Sequence, residues 1–179
     1  MVFPRPLAAL VLALGVYAQN RCNCNPAQPE TMQERQCSLC SEVEKDPADV
    51  QIVFRKDINP HKPNRTIVMP RAHTPGLHLL SEYTPEQRTA LWTAAIKKGQ
   101  EIWGDKWGIA YNGDEVRTQC HAHLHLSKLL DGVEWGEPTV VDSPDQIPLP
   151  EGHAMWVHPV GGKLHVHRDD QIAETVLLR

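Results

Sequence analysis

From Cys120 to Ser127 the chain alternates residue by residue, as Cys120-His121-Ala122-His123-Leu124-His125-Leu126-Ser127. A period of two marks a half-buried β-strand, because successive side chains leave opposite faces of the pleat. The pattern predicts a strand that presents His121, His123 and His125 on one face while Ala122, Leu124 and Leu126 enter a core. At about 3.3 Å of rise per residue, neighbouring imidazoles would stand about 6.7 Å apart and the outer two about 13 Å apart. Rings so spaced converge poorly on one ion at about 2 Å, so at most two of them share a metal easily. Catalysis is the stronger expectation, since neutral imidazole serves as base or nucleophile near pH 7.

Other segments supply a sheet and a helix for this strand. Thr84-Pro85-Glu86-Gln87 combines an N-cap, a proline at the first helical position and a glutamine three residues after the cap. Leu91, Ala94, Ala95 and Ile102 then fall on one face until Gly104, which predicts a helix from Pro85 to about Trp103. Residues 50–55 and 65–69 are short β-branched runs joined by Asn59-Pro60 and Lys62-Pro63-Asn64, and residues 108–112 form a third such run. Residues 154–160 and 163–166 flank Gly161-Gly162 as a hairpin. The stretch 131–151, rich in proline, glycine and acids, reads as a surface excursion. Trp92, Trp103 and Trp107 are expected to pack the helix onto the sheet. The expected fold is α+β: an antiparallel sheet with one long helix over residues 37–130, and a C-terminal β-hairpin extension over 131–179 packing on the same domain.

Charge and composition narrow the function classes. A formal net charge of -4, with 18 basic residues scattered along the chain, gives no footprint for a nucleic-acid backbone. An apolar share of 41% suits one soluble globular domain. At the start, Arg5 precedes an apolar run over residues 7–16, and Val16-Tyr17-Ala18 places small residues where a signal peptidase reads. The run is shorter than the roughly 20 residues of a spanning helix. Residues 1–18 therefore read as a signal peptide, the chain as exported to a periplasm or the exterior, and the mature chain as having no transmembrane segment.

Four of the five cysteines follow as Cys22-Asn23-Cys24, in the segment 19–36, and Cys37-Ser38-Leu39-Cys40. Two chemistries fit: disulfides pairing the first motif with the second, as an oxidising compartment favours, or a zinc knuckle built on Cys-x-x-Cys. Cys120 has no obvious partner and is expected to be a buried thiol. His153, His158, His165 and His167 would suit copper or zinc, but His165 and His167 alternating beside a turn read as a solvated strand face. Trp135 and Trp156 are candidates to border the pocket and stack on a base. Gly161-Gly162-Lys163 reads as a turn and lacks the spacing of a phosphate loop.

The loop entering the histidine strand is polar, Asn112-Gly113-Asp114-Glu115-Val116-Arg117-Thr118-Gln119. Arg117 matches phosphate oxygens bidentately, and Asn112 and Gln119 can orient them. Together with Asp57-Ile58-Asn59-Pro60, Ile67-Val68-Met69-Pro70-Arg71-Ala72-His73 and the capped helix, the chain resembles the histidine-triad (HIT) superfamily of nucleotidyl hydrolases and transferases over about residues 37–130. The short loop Asn-x4-Arg-Thr-Gln-x-His-x-His-x-His-x-Ser is similar to the CDP-diacylglycerol pyrophosphatase branch.

That resemblance implies an enzyme in which His123 attacks phosphorus, His121 and His125 stabilise charge, and Arg117, Gln119 and Asn112 bind the phosphate. It implies that Asp57 accepts hydrogen bonds from ribose hydroxyls, that the substrate is a nucleotide conjugate such as a CDP-lipid, and that catalysis needs no cofactor. A structural zinc would be held by Cys37, Cys40, His73 and His121, in competition with disulfides. A homodimer is a common state of such relatives. The rival readings are a secreted, cupin-like metal-binding module and a nucleotide-binding module without turnover.

Overall fold

The computed structural model describes residues 22–72 and 78–179, so the expected signal peptide over residues 1–18 and the candidate ligand His73 lie outside the described residues. Helix α1 is Ser38–Val43 and α2 is Pro85–Trp103; the strands are β1 (Ile52–Lys56), β2 (Thr66–Pro70), β3 (Trp107–Tyr111), β4 (Leu124–Lys128), β5 (Thr139–Val141), β6 (Ala154–Val160) and β7 (Lys163–Asp169). The seven strands form one antiparallel sheet in the order β1-β2-β4-β3-β6-β7-β5, which with the helices makes the chain a mixed α+β protein. Among the described residues no helix is long and apolar enough to cross a membrane.

The start of α2 follows from its caps. Thr84 Oγ1 accepts from the Gln87 N–H at 3.3 Å, and Gln87 Oε1 accepts from the Thr84 N–H at 2.9 Å, so two backbone donors at the N-terminus are satisfied reciprocally. The buried face is Leu91, Trp92, Ala95, Ile96 and Gly99, whereas Ile102, expected on it, is exposed. Gly99 accounts for the rotation: a Cβ there would stand 2.8 Å from Cβ of Trp107, so the helix meets β3 closer than any side chain allows. Trp92 and Trp107 fill the core around that contact, with Trp103 packed partly buried against it.

The two faces of the sheet bury different things. Ile109, Leu124, Leu126 and Val157 lie in the core with α2, while Ala110 and Trp156 pack with Ala173, Val176 and Leu177 of the returning C-terminus. Strand register sets His125 beside Ala110, Ala110 beside Trp156, and Trp156 beside His167, one row across four strands. Because neighbours in register share a face, His125 and His167 both face away from α2. Val160 opposes Lys163, so Gly161 and Gly162 make a two-residue turn at φ 58° and 82°, where a Cβ would be strained. The stretch 131–151 is more than an excursion, for it contains the edge strand β5 paired to β7.

The cysteine pairing differs from expectation. Cys22 bonds to Cys120 and Cys24 to Cys37, leaving Cys40 as the buried free thiol. One bridge is local, as expected, but the other leaves the 22–40 segment and takes up Cys120. The cause is a docking that local spacing does not encode: the Cys120 N–H donates to the Gln36 carbonyl at 2.8 Å, and Gln119 Nε2 donates to the Arg35 carbonyl at 3.1 Å. The N-terminal segment thus lies against the histidine segment and brings Cys22 to Cys120 across 98 residues.

Candidate active site

Of the three alternating histidines only His125 lies within β4, which begins at Leu124. Leu124 and Leu126 enter the core as the alternation predicts. The uniform wall of three imidazoles does not form, because Cys120 is held by Cys22 and Gln36, and β4 pairs with β2 only through Leu124, His125 and Leu126. His121 is wholly buried and its Nε2–H donates to the Pro70 carbonyl at 2.8 Å, a positioning bond and not a phosphate contact. His123 and His125 stay together, edge to face, with ring centres 4.9 Å apart.

These two rings line a cleft of about 400 Å³ whose walls also include Asp57, Asn112, Arg117 and Gln119, so the structure gathers every expected substrate-binding residue. A larger groove of about 550 Å³ lies beside the start of α2, lined by residues such as Asp49, Arg71 and Glu86, and among the described residues its lining has no histidine or cysteine. The cleft lining carries Arg55, Lys56, Lys62 and Arg117 against Glu42, Asp57 and Glu174, an excess of one cation that suits an anionic substrate.

His123 is held in one tautomer in the cleft. Its Nδ1–H donates to the His121 carbonyl at 2.8 Å, which selects the tautomer with an unprotonated Nε2. Burial lowers its pKa below the ordinary 6.5, opposed by that backbone bond and helped by the charge of Arg117, so the ring is neutral at pH 7. His125 is pushed well below its ordinary value, first by burial, then by His123, Arg65 and Lys62. Asn112 Nδ2 lies 3.5 Å from His125 Nε2 and donates to it, which leaves the proton on Nδ1, 3.5 Å from Glu174 Oε2.

Several residues do more than expected. Asn112 Oδ1 also accepts the N–H groups of Ala173 and Glu174, at 3.1 and 3.2 Å, and so fastens the C-terminal turn beside His125. Gln119 Oε1 accepts from Ser38 Oγ at 2.8 Å and ties the loop to α1. Arg117 donates to the His78 carbonyl and lies 3.6 Å from Asp114, contacts that fix its guanidinium. Asp57 Oδ1 accepts the Asn59 N–H at 2.9 Å, so one oxygen serves the turn.

Glu174 is a charged residue of the cleft lining that sequence reasoning missed. Its carboxylate accepts from Lys62 Nζ at 2.9 and 2.8 Å and from buried Arg65, beneath His125. No local pattern announces it, since it reaches the cleft only when the C-terminus folds back. The one available signal was Arg65 heading a strand, a cation that needs a carboxylate once buried.

The zinc set does not fit this oxidised chain. Cys37 is in a disulfide and offers no thiolate, and burial pushes the Cys40 thiol up to about 12. His121 spends Nε2 on Pro70. Trp135 and Trp156, expected near a base, are not among the residues lining the cleft. Trp156 instead stacks on His167, centres 3.8 Å apart and 4° from parallel, and the solvated face expected for His165 and His167 is corrected, because His167 is buried and His165 is only partly exposed. The chain matches no model of a known protein family, and no curated protein matches it.

Proposed function

We propose that the chain is an exported nucleotide-conjugate hydrolase or transferase of the histidine-triad type, cleaving a phosphoanhydride or phosphoramidate bond through a covalent intermediate on His123. The observation that carries this reading is the His123 Nδ1–H bond to the His121 carbonyl, which leaves Nε2 as a lone pair within the cleft. Two disulfides agree with an oxidising compartment. The mixed α+β architecture argues against the all-β cupin alternative.

In the first step the Nε2 pair forms an N–P bond while the bond to the leaving group breaks and its electron pair departs with that group. Water or another acceptor then attacks phosphorus, loses its proton, and returns the pair to Nε2. On this reading Arg117 and the second N–H of the Asn112 amide donate to the oxygens that gain charge, and removal of a preorganised donor of this kind costs roughly 3 to 4 kcal/mol. His121 acts through its backbone, as a positioning residue.

The test is a screen of the full chain against CDP-lipids, dinucleoside polyphosphates and nucleoside phosphoramidates. Turnover of one class supports the enzyme, and binding without turnover in all three supports the non-catalytic module. Since neutral His123 is the attacking form and its pKa lies below 6.5, protonation extinguishes activity only under acid conditions. The acid limb of kcat/KM, which reports the free enzyme, is expected to have its midpoint below pH 6.5 with a plateau through neutrality. A midpoint above 6.5 contradicts the assignment. Asp57→Ala is expected to weaken ribonucleotides more than 2′-deoxy analogues by roughly 1 to 3 kcal/mol, the range for hydrogen bonds to a charged group. Equal losses in parallel binding titrations assign Asp57 to its turn alone.

A further inference from the structure

A second cluster of histidines sits on the same face of the sheet as His125, three strands away or about 14 Å at the usual strand spacing. Across the Gly161-Gly162 turn, Trp156 opposes His167 and His158 opposes His165, so their four side chains share a face. Glu134 reaches them from the segment between β4 and β5. Each of Glu134, His158, His165 and His167 offers one donor atom, and these four atoms lie within 4.8 Å of one another.

The hydrogen bonds fix how the donors point. His167 Nδ1–H donates to the Trp135 carbonyl at 3.1 Å, so its Nε2 carries a lone pair. His158 Nε2 lies 3.3 Å from that Nε2, so the two buried rings converge on one point. A metal ion there takes both nitrogens as ligands in place of the hydrogen bond between them. Glu134 Oε1 closes the group at 3.7 Å from His158 Nε2 and 2.6 Å from His165 Nδ1.

We propose that His158, His165, His167 and Glu134 form a binding site for a divalent transition metal, with zinc as the ion its ligands suit best. Ligands about 2.0 to 2.1 Å from zinc at tetrahedral angles stand about 3.3 to 3.4 Å from one another, a spacing the His158–His167 pair already has. The remaining donors need side-chain shifts of about 1 Å to match it. Three imidazole nitrogens with one carboxylate oxygen select zinc, copper or nickel over magnesium and calcium, which take oxygen. The Trp135 carbonyl orients His167 as an outer partner does in such centres, and Trp156 stacked on that ring restricts its tilt. Glu134 is 44% exposed in its side chain, which leaves a path for the ion. Bound there, the metal clamps the segment that carries Glu134 and Trp135 onto β6 and β7.

The experiment is titration of chelator-stripped full chain with zinc chloride, followed by tryptophan fluorescence and by elemental analysis after dialysis. One zinc per chain is expected, with a fluorescence change because Trp156 lies against a ligand ring. His165→Ala and Glu134→Gln alter the two more exposed members and spare the buried rings, so they are expected to fold. Loss of an outer-shell partner already costs 10- to 100-fold in affinity, so His165→Ala should weaken zinc about a hundredfold or more and Glu134→Gln at least tenfold. His153→Ala, an exposed histidine outside the cluster, should change nothing. Unaltered zinc affinity in folded His165→Ala, or the lack of a saturable equivalent in the wild type, overturns the proposal.

Discussion

His123→Asn is expected to abolish turnover by about a thousandfold or more while leaving the fold and ligand affinity nearly unchanged. The scale follows from the role: loss of a nucleophile or of acid-base catalysis removes at least that factor, about 4 kcal/mol of transition-state stabilisation. Asparagine is chosen because its amide can still donate to the His121 carbonyl that now holds Nδ1. His123 is only partly buried, so the change leaves no large cavity. The reaction also demands an adduct. Rapid quenching at neutral to alkaline pH should trap a nucleotidyl or phosphoryl group on the peptide containing His123, labile in acid as a phosphoramidate is. An adduct on His121 or His125 instead, or full activity in His123→Asn, sinks the assignment.

The legible parts of the fold were those with local causes. The capping box at Thr84 and Gln87 needs four consecutive residues, and the helix starts where it predicts. β1, β2 and β3 fall on the short β-branched runs that predicted them, within two residues at each end. Leu124, Leu126 and His125 obey the alternation because β4 is a strand there. The rule fails at His121 because a period of two holds only inside a strand, and the Cys22 bridge and the Gln36 carbonyl draw the segment before β4 off the ladder, whereas His123 still lines the cleft beside His125.

What stayed hidden depends on contacts between distant segments. Asn112, Arg117 and Gln119 are legible by residue type and Asp57 only through the family resemblance; all four meet in one cleft, but Gln119 and Asn112 also fasten α1 and the C-terminal turn. Glu174 had no local mark, as its carboxylate acquires meaning only beside Arg65, Lys62 and His125. Alternation reads His165 and His167 as solvated because it says nothing about what covers a face. The cover comes from Trp135 and Glu134 of another segment, together with Trp156 on the opposite strand.

Removing the Cys22–Cys120 bridge is expected to be the most destabilising change in the chain outside its core. In the chain-entropy account a disulfide stabilises by restricting the unfolded state, by about 3 kcal/mol for a loop near 15 residues and about 4.7 for one near 100. The bridges here span 13 and 98 residues, so the double variant Cys22→Ser with Cys120→Ser should lose about 4.7 kcal/mol and Cys24→Ser with Cys37→Ser about 3 kcal/mol. Double variants are needed because a single one leaves a thiol free to exchange. The check is the denaturant midpoint of each oxidised chain, with Cys40 as an internal reporter. Its thiol is buried and pushed up to about 12, so alkylation should reach it only on unfolding, and sooner in the variant that lacks the long bridge. On the proposed function, catalysis depends on the same bond. Cys120 directly follows Gln119 and anchors the segment whose His121 carbonyl orients His123, so the long-bridge variant should lose kcat even where it remains folded. Peptide mapping that pairs Cys22 with Cys37 or Cys40, or equal midpoints for the two double variants, contradicts this account.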